Sequence, residues 1–96
     1  MESDLTFADF SSSLDQPFPV NTGDGALRLV LVEAVARHGR GHSGREPFTL
    51  LFRGPASPRL NQGTYEFVHP QRGALSIFIV PVGGDAGGTL YEAVFS

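Results

Sequence analysis

Apolar and polar residues alternate with a period of two along most of the chain beyond residue 17, which is the pattern of β-strands. Turns rich in Gly, Pro, Asn and Asp interrupt this alternation and divide it into separate strands. The predicted strands span residues 18–21, 26–36, 47–54, 63–69, 74–82 and 89–95. Short strands with close turns favour a mainly β fold, either a small six-stranded antiparallel barrel or a sandwich.

The segment before the strands has the spacing of an amphipathic helix, which is predicted over residues 6–14. Thr6 and Asp9 are placed as in a variant of the capping box, which is typical of a helix N-terminus. The apolar stripe of this helix consists of Phe7, Phe10 and Leu14. Because two turns of helix are not stable in isolation, we expect the stripe to dock as a lid over an open end of the β core.

The predicted strands are apolar on both faces, although an antiparallel sheet with one solvated face is normally polar on that face. One face supplies the expected core. The second face carries Val30, Val32, Leu51, Val68, Phe78, Val80 and Val94. Two interpretations stay open: the chain covers this face itself, with the helix or a second sheet, or another chain covers it. The predicted interaction surface consists of Val30, Val32, Leu51, Phe78, Val80 and Val94.

Length and composition bound the fold and the chemistry. A chain of 96 residues is expected to form a single domain, and its 12 Gly and 7 Pro suit tight turns between short strands. The absence of Cys excludes disulfides, thiol nucleophiles and Cys-ligated metals. A net charge of −3 gives no basic footprint for duplex nucleic acid, so we expect no such partner.

No segment of the sequence is typical of export or of membrane insertion. The acidic residues 1–4 are not followed by the apolar segment that signal peptides carry. The longest apolar run, residues 77–82, is far shorter than the about 20 residues that span a bilayer as a helix. We therefore expect a cytoplasmic protein without membrane association.

A polar loop of Gly, Arg and His is predicted over residues 37–46. Three of its glycines match the dinucleotide-binding pattern G-x-G-x-x-G, but a predicted strand follows where this motif requires a helix. His38 and His42 are weak candidates for metal ligands, because no third ligand has suitable spacing. The candidate anion-binding residues are Arg37, His38, Arg40, His42 and Arg45. A solvated loop without a ligand is the competing interpretation.

The sequence offers little for catalysis, and we predict a protein that is not an enzyme and has no catalytic or cofactor-binding residues. The nucleophile motif G-x-S-x-G does not occur. A hydrolytic enzyme would need at least two members of a dispersed set to converge in one cleft. That set consists of His38, His42, His69, Glu33, Glu66 and Glu92. The strand pattern gives Arg53 a structural role, as the partner of Glu66 or Glu92 in a cross-strand charge pair.

Four segments carry a resemblance to a known family. They are REPFTLLFRGP at 45–55, QGTYEFVHP at 62–70, IFIVPVG at 77–83 and YEAVF at 91–95. Together they resemble a family of short, uncharacterised bacterial proteins, described as a domain of unknown function. The resemblance implies no established activity and no site residues. It carries a loose association with phage-tail-like gene neighbourhoods, and the loop 37–44 looks like a variable insertion within it.

These observations favour a non-enzymatic β-domain that acts as a protein interaction or assembly module, with a second copy of itself as the expected partner. The apolar second face and the missing catalytic motifs motivate this hypothesis. An accessory role in a phage-tail-like system is its finer form. A small-ligand or anion-binding barrel, using its mouth or the loop 37–46, is the alternative. A hydrolytic enzyme is the third hypothesis.

Overall fold

A computed structural model describes residues 5–23, 25–37 and 47–95. The elements in chain order are α1 (Ala8–Ser11), β1 (Pro17–Asn21), β2 (Ala26–Ala36), β3 (Phe48–Gly54), β4 (Gly63–His69), β5 (Gly73–Asp85) and β6 (Gly88–Phe95). All neighbouring strands are antiparallel, and they close into a barrel in the order β1-β2-β3-β6-β5-β4. The predicted mainly β, six-stranded antiparallel fold with one short helix is confirmed, and the barrel is the correct one of its two alternatives.

The barrel closes through a short ladder between β1 and β4. Only Val20 pairs with Phe67 and Asn21 with Glu66, whereas every other pair of neighbouring strands has a longer ladder. The prolines of β1 contribute no N–H group to any ladder, which limits the pairing that this strand can make. We call this junction the seam.

Inward side chains fill the barrel with aromatic and aliphatic groups. The fully buried large residues are Tyr91, Phe10, Phe18, Phe48, Phe52, Phe67, Leu5, Leu29, Leu31, Leu50, Ile77 and Ile79. Ten of these belong to strands, at the alternate positions that a period of two places on one face. Burying each such side chain contributes about 1.5–3 kcal/mol, so a small chain without disulfides gains its stability from this packing.

The helix is shorter than the predicted 6–14, because α1 spans only Ala8–Ser11. Asp9 accepts a hydrogen bond from the Thr6 backbone N–H at 2.7 Å, as the capping pattern predicts. After α1 the Ser13 N–H bonds to the Phe10 carbonyl, a tighter turn than an α-helix makes, and the chain bends away. Leu14 is therefore 43% exposed and does not join the apolar stripe.

Strands β5 and β6 are longer than predicted, and a tight turn joins them. Asp85 pairs with Gly88, which leaves two residues at the turn. The Asp85 carboxylate accepts the Gly87 N–H at 2.8 Å, which fixes the turn locally. Gly88 has a φ of +132°, and any Cβ there would collide with the Gly54 carbonyl oxygen. Glycine at this position is required both by the backbone conformation and by the close approach of β3.

A β-bulge in β2 changes which residues point outward. The register with β3 shifts between Leu31 and Glu33, so Val32 is the extra residue. Beyond the bulge the alternation reverses, and Glu33 and Val35 are exposed while Ala34 is half-buried against the core. Strict alternation from Leu31 would have placed Glu33 inside the barrel, where an unpaired carboxylate is costly.

Candidate functional site

The predicted interaction surface lies on the outside of the barrel, and we call its six residues the outer apolar face. They are Val30, Val32, Leu51, Phe78, Val80 and Val94. Phe78 is 52% exposed and Val94 is 54% exposed, and the other four are half-buried. The described residues do not bury Phe78 or Val94, and α1 packs against an end of the barrel instead. Of the described residues, those of α1 therefore do not cover Phe78 or Val94, and cover by another chain stays a prediction.

Strands β3, β6 and β5 carry the centre of the outer apolar face. Leu51 of β3 and Val80 of β5 both pair with Glu92 of β6, so the three residues form one row across the sheet. Glu92 is half-buried between its two apolar neighbours, and the described residues give it no ion pair. On the other side of Leu51 the row continues to Glu33 of β2, which is exposed, so Leu51 lies between two carboxylates.

A second row lies two residues farther along the same strands. Val94 pairs with Thr49, and Thr49 pairs with Val35 of β2. Continuing the β5–β6 register by two residues from Val80 and Glu92 places Phe78 beside Val94. Val35, which is 44% exposed, was missed as a member of this patch. Strict alternation along β2 would place Glu33 in the core. This conflict is the sequence signal that could have revealed the bulge, and with it the outward position of Val35.

The seam side of the barrel is different in character. Its outward residues on β1 and β4 include Pro19, Asn21, Thr64 and Glu66, which are exposed. A shallow cavity of about 530 Å³ lies there, and its lining includes Pro19, Asn21, Glu66 and Val68. One apolar residue of the initial set, Val68, lines this cavity and is therefore separated from the outer apolar face; it is 45% exposed.

Arg53 pairs with Asp85, at 2.8 Å between Nη2 and Oδ2, and not with Glu66 or Glu92 as predicted. The register explains the difference, because Leu90 lies opposite Arg53 and Glu92 lies opposite Leu51. The long side chain reaches the β5–β6 turn instead. The hydrogen bond from Arg53, and then that from the Gly87 N–H, lower the pKa of Asp85 from its ordinary value of 3.8. This exposed pair organises the turn.

His69 is buried, with 2% of its surface exposed, at the end of the barrel that α1 covers. Its Nδ1 accepts the backbone N–H groups of Gln71 at 3.0 Å and Arg72 at 3.2 Å. Its Nε2 lies 2.5 Å from the Asp9 carbonyl oxygen. Both ring nitrogens are thus occupied by backbone groups of the protein, and His69 has no nitrogen free for proton transfer or for a metal.

The residues proposed for a hydrolytic site do not converge where the structure describes them. Glu33 and Glu66 are exposed and Glu92 is half-buried, all on the outside of the barrel, whereas His69 is inside. His38 and His42 lie outside the described residues. Among residues 5–23, 25–37 and 47–95, no three His, Asp or Glu side chains lie close enough to hold a metal ion.

Most of the candidate anion-binding loop also lies outside the described residues. Arg37 is described and exposed, and its backbone N–H donates to the Pro47 carbonyl at 2.9 Å, so the two ends of the loop are close. The other four candidates of the loop lie outside the described residues: His38, Arg40, His42 and Arg45. The role of these residues stays a prediction.

Comparison with known proteins identifies the family. The family model of DUF6916, a domain of unknown function, matches residues 5–95. The resemblance found in the sequence is therefore confirmed, and the chain belongs to this family. No curated protein and no solved structure matches the chain. Separately, the described part of the chain contains no helix that is both long and apolar enough to cross a membrane.

Proposed function

We propose that the chain is a non-enzymatic interaction module that forms a homodimer through the outer apolar face. The family to which it belongs is one of unknown function, so membership gives the chain no activity. One observation carries the proposal: Phe78 and Val94 lie on adjacent strands, and each is more than half exposed. Isolated exposed apolar residues are common on protein surfaces, but a contiguous apolar patch is typical of a contact surface.

The composition of this face supports a second copy as the partner. A two-fold contact uses the same surface on both molecules, so one apolar face is sufficient for a closed dimer. A chain of 96 residues without Cys also gains stability when a partner binds its folded state. Glu92, within the central row, favours an arrangement that keeps this carboxylate at the rim or pairs it with a cation.

Light scattering coupled to size-exclusion chromatography tests the proposal. The wild-type chain is expected at twice its 10.3 kDa mass, and the Phe78→Lys and Val94→Lys variants at the monomer mass. Placing an unpaired ammonium group within an apolar contact should weaken association at least about 30-fold, as at an interface hot spot. Ser76→Lys is the matched control, because Ser76 is exposed on the same strand and faces Glu66. A monomeric wild type, or equal masses for all four proteins, would contradict the proposal.

The finer and alternative functions rest on other residues. The accessory role in a phage-tail-like system rests on the family resemblance alone and stays a prediction. Anion binding by the loop 37–46 rests on its Arg and His residues. Stabilisation of the wild type by inorganic phosphate, absent from an Arg40→Ser and Arg45→Ser double variant, would support it.

A further inference from the structure

The seam leaves a cavity at the point where β1 stops pairing with β4. The ladder between the two strands ends at Val20, and continuing its register places Pro19 opposite Val68. Pro19 has no backbone N–H group that could extend the ladder. Both Pro19 and Val68 line the cavity of about 530 Å³, and sites for small molecules ordinarily have volumes of about 300–1,000 Å³.

Two polar side chains lie next to each other in the lining of this cavity. Asn21 of β1 pairs with Glu66 of β4, so the two side chains are neighbours on the same face of the sheet. Among the described residues of the lining, Glu66 alone is charged, and the described part of the chain gives it no ion pair. Arg28 of β2 lies opposite Pro19 and does not belong to the lining. The cavity therefore presents a carboxylate that can accept hydrogen bonds from a cation.

The side-chain amide of Asn21 has a defined orientation. The Gly23 N–H lies 2.9 Å from one end of this amide, and because an N–H group can only donate, that end must be Oδ1. The Nδ2 group therefore points away from the Gly23 N–H, and none of the described residues accepts a hydrogen bond from it. Asn21 and Glu66 thus offer a ligand one hydrogen-bond donor beside one negatively charged acceptor.

We propose that this cavity binds the amino terminus of a peptide. The ammonium group bonds to the Glu66 carboxylate, the first carbonyl oxygen accepts from Asn21 Nδ2, and an apolar first side chain packs against Pro19 and Val68. Only two carbon atoms separate the ammonium group from the carbonyl oxygen at an amino terminus, and this spacing suits two cross-strand neighbours whose Cβ atoms lie about 4.5–5.5 Å apart. The site is separate from the outer apolar face and does not depend on dimerisation.

Other ligand classes match fewer of these groups. A simple alkylamine has no acceptor for Asn21 Nδ2, and an acetylated amino terminus has no positive charge for Glu66. A free amino acid would bring a second carboxylate close to that of Glu66, where like charges repel. Leucinamide combines an ammonium group, a carbonyl group and an apolar side chain, so it is a suitable small probe for the proposed site.

Titration of the full chain with leucinamide at pH 6.5, followed by ¹H–¹⁵N NMR, tests the proposal. The amino group of leucinamide is an ammonium group at this pH. We expect saturable shifts of the amide signals of Asn21, Gly23, Glu66 and Val68, whereas the signal of Val94 on the outer apolar face should not move. No saturable shift, or shifts of similar size on both sides of the barrel, would overturn the proposal.

Three related compounds separate the contributions of the ligand groups. N-acetylleucinamide lacks the ammonium group, isoamylamine lacks the carbonyl group, and leucine carries an additional carboxylate. Each should bind about fivefold more weakly than leucinamide, as expected for one exposed charge pair or one hydrogen bond. Binding of N-acetylleucinamide or isoamylamine as tight as that of leucinamide would overturn the proposal. Equally tight binding of leucine would indicate a free amino acid as the ligand and would also overturn it.

Conservative variants assign the two protein groups. Glu66→Gln removes the charge and should weaken leucinamide binding about fivefold. Glu33→Gln is the matched control, because Glu33 is an exposed carboxylate of β2 outside the cavity. Asn21→Asp keeps an oxygen for the Gly23 N–H but removes the Nδ2 donor, so leucinamide should lose its advantage over isoamylamine. Wild-type affinity in Glu66→Gln, or an undiminished advantage in Asn21→Asp, would overturn the proposal.

Discussion

Two outer sides of the same barrel follow the same alternation yet differ in chemistry. On β3, β6 and β5 the outward positions include Leu51, Val80 and Val94, whereas on β1 and β4 they include Asn21 and Glu66. Barrel closure needs apolar residues only on the inside, so the fold does not account for the outer apolar face. The seam side shows what a solvated face of this chain looks like, and the difference supports a partner at the outer apolar face.

The largest expected effect separates the interior from both outer sides. Phe52→Ala removes a fully buried ring that contacts Phe18 and Phe67, so the free energy of unfolding should fall by about 3–5 kcal/mol. Phe78→Ala is the matched variant on the outside, and in the monomer it should cost far less because more than half of its surface is already exposed. Urea unfolding, at a protein concentration too low for dimerisation, measures the loss of unfolding free energy in both variants.

Equal losses from the two variants would mean that Phe78 is buried within the monomer. The outer apolar face would then lack its most exposed aromatic residue, and the contrast between the two sides of the barrel would disappear.

An intermediate effect is expected in the backbone. The β3–β6 ladder is continuous from Phe48 to Gly54, whereas the seam has only two residue pairs. Amides of the seam should therefore exchange through local opening, with protection factors about 10–100-fold below those of the β3–β6 ladder. Hydrogen exchange followed by NMR measures this, and uniform protection around the barrel would show that the short ladder does not weaken closure.

The smallest expected effect concerns the turn beyond the outer apolar face. Because the pKa of Asp85 is lowered in the folded state, its pair with Arg53 contributes to stability above pH 3.8, and this contribution is lost as the pH falls below that value. Asp85→Asn should lower the melting temperature slightly at pH 7 and have less effect at pH 2. Ser76→Asn is a control at another exposed position of β5. An effect of Asp85→Asn that grows in acid would contradict the direction of this linkage.

The strands were predictable because their alternation is regular. The predicted bounds of 26–36 and 63–69 agree with those of β2 and β4. The other differences have local causes: the bulge at Val32 reversed the outward positions of β2, and the two-residue turn after Asp85 extended β5. Alternation gives the period of a strand, but it does not give the register shift that a bulge introduces.

The candidate site was only partly predictable. Outward apolar residues follow from alternation, and Phe78 and Val94 are exposed as that pattern requires. The alternation pattern does not predict the partners of His69 and Arg53, because both depend on contacts between residues far apart in the sequence. Asp9 is 60 positions from His69, and Asp85 is 32 positions from Arg53. A single sequence gives the chemistry of each group, whereas the fold decides which groups meet.

The central claim is that a second copy covers the outer apolar face, and two valines test it directly. Val94 lies on that face and is 54% exposed in the monomer, and Val68 lies on the seam side and is 45% exposed. A soluble paramagnetic agent relaxes the methyl groups that solvent reaches. We predict that in concentrated solution the Val94 methyl groups are protected and the Val68 methyl groups are relaxed, and that dilution removes the difference. Equal relaxation of both valines at every concentration would contradict the account.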